Sequence, residues 1–154
     1  MVGVGARASG STRDSRKDIG YGIYDELDFE VITETAGDVE ARIKVRIGEV
    51  AQSLKLVRQL ISKLRRNAET QLAAELGELQ QEEGHFTWGI SESARGDNLH
   101  CLLLDKEGRI DRLFVRSASY PNWPALTVAV QGDIIPDFPL INKSFELCYA
   151  CIDR

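Results

Sequence analysis

Apolar residues recur at steps of four or three from Val39 through Ile43, Ile47, Val50, Leu54, Val57 and Ile61 to Leu64. That spacing lines one face of a long amphipathic helix. Asp38 is a suitable N-cap, and Lys63, Arg65 and Arg66 stand near the far end, where cations favour the helix dipole. The stripe can be a partner surface rather than a private core. A second segment, residues 69–81, is polar and Ala-rich and predicts an exposed helix.

Elsewhere the pattern changes. Residues 1–20 are rich in Gly, Ser and charge and predict a loop, and Tyr21 to Thr33 predicts an extended segment lying on something larger. HFTWGI, NLHCLLLD and RIDRLFVRS, the last two flanking the turn DKEG, predict a hairpin or three-stranded meander. Trp123 to Val130 predicts a short helix, followed by two Pro-containing turns and a tail with two cysteines. The expected class is α+β: an extended arm over 1–36, a helical segment over 37–83, and a sheet with a short helix and a Cys-x-x-Cys tail over 84–154. Arm and tail lack an obvious surface to pack on, so the whole reads as one partial domain of a larger fold.

The 154 residues are 43% hydrophobic, enough for one core. A formal charge of -5 and a pI near 5.1 exclude nucleic acid as the main partner, because phosphate binding needs a concentrated basic surface. The basic residues Arg7, Arg13, Arg16 and Lys17 are expected on a solvated face or at a protein contact. No run approaches the roughly 18 apolar residues of a membrane span, and three cysteines fit a reducing compartment, so a cytoplasmic protein is expected.

Cys148 and Cys151 are two soft donors at a spacing that suits one metal or a redox disulfide. Neither a βαβ context nor a second pair accompanies them, and Cys101, His85 and His100 have no partner spacing. Soft thiolates select nickel, copper(I), zinc or iron-sulfur centres, and a ligand set shared with another chain would complete such a site. Cys101, inside a strand, is expected to be a small buried apolar residue. Arg95, in SESARGDN, is either a turn arginine beside Glu92 and Asp97 or a fixed cationic fork over an anion or metal centre.

Taken in order, RASGSTRDSRKDIGYGIYDELDFEV, GDVEARIKVRIGEVAQSLKLVRQL, the stretch from Glu92 to Ile141, and CYACIDR resemble the C-terminal part of large subunits of energy-converting nickel-iron hydrogenases. The resemblance is to the formate hydrogenlyase type, and the quinone-site subunit of complex I is its relative. The resemblance implies the large-subunit fold. It also implies that Cys148 is a terminal nickel ligand, that Cys151 bridges nickel and iron, and that Arg95 sits over the open side of the metals. Glu92 falls on the glutamate of the same motif, and Asp137 matches a family aspartate expected to orient groups around the ligands. A magnesium or iron ion near the Arg154 carboxylate is also implied.

The family's Asp-Pro before the first cysteine is here Glu146-Leu147, and its N-terminal cysteine pair and proton-transfer glutamate do not occur in this chain. The expectation is therefore a split or truncated second half whose gene ends at the mature terminus. It would be completed by an N-terminal half, an iron-sulfur small subunit and membrane subunits, on the inner face of the membrane, with hydrogen and protons as substrates. The competing expectations are a complex I-like NADH-quinone oxidoreductase subunit without nickel, and a non-catalytic assembly module.

Overall fold

The computed structural model describes residues 1–66 and 86–151. Its elements are α1 (Gly3–Ala8), α2 (Ser15–Asp18), α3 (Val39–Arg66), β1 (Phe86–Ser93), β2 (Gly96–Leu104), β3 (Ile110–Arg116), α4 (Trp123–Ala129) and α5 (Phe138–Phe145). Short 3-10 turns lie at Tyr24–Glu26, Tyr120–Asn122 and Ile135–Asp137. The class is α+β, a long helix beside a small antiparallel sheet. The polar helix expected over 69–81 lies outside the described residues.

Helix α3 begins where its N-cap predicts, with Asp38 Oδ1 accepting a hydrogen bond from the Ala41 amide at 2.7 Å. Its apolar stripe faces outward: Ile47 and Leu64 are 66% exposed and Val50 62%. The face that packs carries Ala41, Arg42, Val45 and Leu56 instead. Two residues separate Ile43 from Val45, about 200° around the helix, so the packed and apolar faces are nearly opposite.

What packs on α3 is the N-terminal arm, which is not a loop at its start. All six residues of α1 are buried, and Val4 and Ala8 join Ala41, Val45 and Ile32 in one cluster. Gly3 permits this seat, since a Cβ there would stand 2.1 Å from the Arg95 carbonyl oxygen. The rest of the arm runs antiparallel along α3. Ile32 lies against Gly48, where a Cβ would come within 2.7 Å of it; Leu27 and Phe29 pack on Leu56; and Lys63 Nζ donates to Glu26 at 2.6 Å.

Arg7 corrects the expectation of a solvated basic face. Its side chain is 1% exposed and lies 2.7 Å from Glu49, 2.9 Å from Glu92 and 3.6 Å from Asp14. Arg16 meets the same Asp14 through two hydrogen bonds of 2.9 and 2.6 Å. The arm, α2, α3 and β1 thus converge on one buried charge. Arg7 Nε and the paired Glu49 oxygen make no hydrogen bond.

The sheet has the order β1-β2-β3, both pairs antiparallel. Ala94 and Arg95 form a two-residue turn between Ser93 and Gly96, which face each other across the ladder. In the β2–β3 turn, Asp105 Oδ1 accepts from the amides of Glu107 and Arg109 at 2.9 and 2.8 Å. Cys101 lies between Trp88 and Phe114 in register and is half-buried rather than fully buried. Helix α4 forms as predicted. Helix α5 does not match the expected turns: a proline in its first turn costs no hydrogen bond, and Ile141 and Phe145 bury against Leu126 and Leu147.

These contacts set the response to mutation and pH. Asp38→Ala should lower unfolding stability by about 1 kcal/mol in a denaturant titration, the usual loss for an N-cap. Burial alone would raise the Asp14 carboxyl, but hydrogen bonds and charge from Arg16, with Arg7 behind them, hold it below its ordinary value. Its contribution is therefore present above about pH 3.8 and is lost as pH falls below that value. Burial raises Glu49 despite the Arg7 charge, so its contribution is present below about pH 4.5 and is lost as pH rises. Melting curves across pH should show Asp14→Asn weakening the acid-side decline. Glu49→Gln should flatten the decline on the other side.

Candidate functional site

The tail after α5 is fastened at every residue from Glu146 to Tyr149. Glu146 ends the helix with φ 57°, the one non-glycine residue with positive φ among those described. Its carboxylate pairs with Arg46 of α3 at 3.2 Å and with Lys143 at 2.9 Å, and its carbonyl accepts from Arg95 Nε. Leu147 then turns inward into the α4–α5 cluster. The Cys148 amide donates to the hydroxyl of Ser119, itself 1% exposed, at 3.0 Å. Tyr149 stacks on Trp123 with ring centroids 4.9 Å apart and accepts a hydrogen bond from Asn142 at 2.6 Å.

Two arginines of α3 brace the same helix end. Arg42 Nε donates to Ser144 at 2.8 Å and its guanidinium lies 4.0 Å from the Phe145 ring centroid. Arg46 donates to the carbonyls of Ser144 and Phe145 at 3.2 and 3.0 Å, the orphan acceptors of a helix C-terminus. On the other side, Asn122 donates to the carbonyls of Val2, Ala118 and Arg95. It also accepts from the Val2 amide at 2.8 Å, locking the Arg95 turn to the chain's start.

Arg95, Cys148 and Cys151 are therefore brought together. The Cys148 thiol is held below its ordinary value first by hydrogen bonds with the Cys151 side chain and backbone, against desolvation, with the Ala150 backbone and the Arg95 charge contributing least. Glu92 lies beyond the turn and faces the other way, its carboxylate held by Arg7 and by the Ser15 amide at 3.2 Å, while its own amide donates to the Tyr21 hydroxyl at 2.7 Å. Asp137 stands at the start of α5, a helix of eight residues and so about 12 Å long, at the opposite end from the cysteines. It lines a recess with Gly37, Asp38 and Arg42 and has no direct contact with the cysteine pair.

Two converging thiols, one of them acidified, have the donor chemistry of a soft metal site. Among the described residues no group of three His, Cys, Asp or Glu side chains forms a metal cage. The donor set fits half of a thiolate centre. Ser119, Asn122, Arg42 and Arg46, which hold the tail in place, carry no sequence signal for that role, because each acts through contacts made far along the chain.

Over residues 1–87 and 76–154 the chain matches the family described as respiratory-chain NADH dehydrogenase, 49 Kd subunit. It is 35% identical over 162 residues to formate hydrogenlyase subunit 5 of Escherichia coli K12, covering 99% of this chain and 26% of that protein. It is 33% identical over 154 residues to the carbon monoxide-induced hydrogenase of Rhodospirillum rubrum, covering 100% and 41%. It is also 36% identical over 149 residues to an NADH-quinone oxidoreductase subunit of Salinispora tropica, covering 97% and 38%. Among solved structures, a chain of the membrane-bound sulfane sulfur reductase, an archaeal respiratory membrane complex, superposes with a TM-score of 0.86 at 26% identity. That match covers the whole of this chain and 42% of the other. The chain thus spans between a quarter and about two fifths of the length of these relatives. By this match along its full length, the chain belongs to the 49 kDa subunit family of the respiratory-chain NADH dehydrogenases, which resembles subunits of energy-converting hydrogenases as well as of complex I.

Proposed function

We propose that this chain is the C-terminal part of a nickel-iron hydrogenase large subunit of the formate hydrogenlyase type. The observation that carries the reading is geometric: Arg95 donates to the carbonyl of Glu146 and Ser119 holds the Cys148 amide, so the arginine turn is fastened to the tail that carries Cys148 and Cys151. Cys148 and Cys151 would hold a nickel-iron centre from one side, and two thiolates from the N-terminal part of the large subunit would complete it. When bound, that centre supplies the reversible heterolysis of hydrogen. The chain's own residues do the rest. A thiol held below its ordinary value becomes the thiolate donor more readily than an ordinary one. Arg95 holds a fixed positive charge at the tail, Ser119 accepts from the amide of the residue that carries the thiol, and Leu147 anchors the tail in the α4–α5 core.

Partners follow from the surface. The outward stripe of α3, from Ile43 to Leu64, is an apolar face about 32 Å long at 1.5 Å per residue, and monomeric proteins seldom leave such a face open. We assign it to the N-terminal part of the large subunit, with an iron-sulfur small subunit and membrane subunits beyond. No helix among the described residues is long and apolar enough to cross a membrane, so attachment to the inner face of the cell membrane would come through those partners.

A second reading has a specific observation in its favour. Glu146-Leu147 stands where the resembled hydrogenases have Asp-Pro. A complex I-like subunit without nickel would share the scaffold and the partners. In an assembly module the two cysteines would be dispensable.

Elemental analysis of the complex purified from its native host separates these readings. Nickel and iron should both be present and should be lost in the Cys148→Ser, Cys151→Ser double variant. An intact complex without nickel would remove the hydrogenase reading and leave the complex I-like one. Independently, Ile47→Glu with Leu54→Glu should abolish co-purification of partners while changing the chain's own stability by less than about 0.5 kcal/mol, the usual range for exposed sites.

A further inference from the structure

Glu146 occupies a backbone conformation that glycine adopts at helix ends without penalty and that an L side chain resists. The position nevertheless carries a glutamate, and three cations converge on it. Arg46 reaches its carboxylate from α3, Lys143 reaches it from the last turn of α5, and Arg95 reaches its carbonyl from the β1–β2 turn. Two residues later the Cys148 amide meets Ser119. A different exit from α5 would swing Leu147 out of the core and break that hydrogen bond.

We infer that Glu146 is a positioning residue for Cys148: its carboxylate, clamped by Arg46 and Lys143, holds the left-handed exit from α5 that seats the Cys148 backbone on Ser119 and draws Arg95 to the tail. The clamp substitutes for the conformational ease of glycine. It adds what glycine cannot, a charge that ties the exit to Arg46 of α3, while the backbone carbonyl at the same position accepts from Arg95. This goes beyond the proposed activity, since it concerns where the thiol stands whichever metal or electron carrier the complex uses.

Amide hydrogen exchange of the full chain, purified with whatever accompanies it, tests the inference directly. The Cys148 amide reads the Ser119 hydrogen bond and the Val45 amide serves as an internal reference for global unfolding. Glu146→Ala keeps the strained exit and removes the clamp, so Cys148 exchange should accelerate by about tenfold or more, the order expected for releasing a left-handed non-glycine residue. Val45 should not change. Glu146→Gly removes clamp and strain together and should stay within about twofold of the parent. Ser119→Ala should accelerate Cys148 exchange as Glu146→Ala does. If Glu146→Ala fails to fold, Glu146→Gln, which keeps the shape and loses the charge, replaces it with the same expected direction. Cd(II) titration followed by thiolate absorption should show weaker binding in the Ala or Gln variant and recovery in Glu146→Gly. Unchanged Cys148 exchange in Glu146→Ala or Glu146→Gln, or acceleration in Glu146→Gly equal to that in Glu146→Ala, would overturn the assignment.

Discussion

The guanidinium of Arg7 is the constraint on which the arrangement of the chain depends. It is carried by α1 and pairs with Asp14 beside α2, Glu49 on α3 and Glu92 on β1, so four segments share one buried cation. Removing a charge from water is tolerated only with well-placed partners, and losing one partner leaves the others uncompensated. The group therefore dictates where the arm, helix and sheet stand. Counting Arg16, two cations face three carboxylates. Glu49 bears the cost of the excess negative charge, since burial raises its carboxyl despite the pairing with Arg7. Asp14, held by both arginines, stays ionised.

Elements whose cause is local can be read from the sequence. The 28 residues of α3 announce themselves by period and N-cap, the meander by its turns, and α4 by its short apolar run. Elements whose cause is distant cannot. GVGARA has too few large apolar residues to mark a helix, and it is one because Ala41, Val45 and Ile32 cover it. The proline in the first turn of α5 looks like a turn residue until Leu126 and Leu147 supply the core against which the helix packs. Arg7 reads as solvated because its three acidic partners lie 7, 42 and 85 residues away. The cysteines and Arg95 are legible as a motif, whereas Ser119 and Arg46 become visible only once the tail is folded onto them.

Helix α3 reverses the usual assignment of faces. Its inner side sets Val45 and Leu56 among small, charged and amide residues that accept the arm closely, with Gly48 letting Ile32 approach and Gln59 bonding the backbone of Asp28 at 2.9 and 2.7 Å. Its outer side holds the larger apolar residues. The private packing is thus built from close backbone approach and polar pairing, and most of the helix's hydrophobic driving force is left for association. A helix of this kind is stable in its domain and incomplete without a neighbour.

The same helix carries Arg42 and Arg46, which grip the end of α5 and the turn that leads to Cys148. Arg46 lies one residue before Ile47 and four before Val50, so the support of the tail and the apolar face alternate along one rigid rod. A partner seated on Ile47 and Val50 fixes the axial and rotational position of that rod. Any shift of the rod displaces Arg46, and with it the clamp on Glu146. Placement of the Cys148 thiol is thereby coupled to assembly through a single helix, without any flexible segment between the two. On the proposed hydrogenase reading, the surface that would bring in the remaining ligands is also the one whose helix supports Cys148 through Arg46.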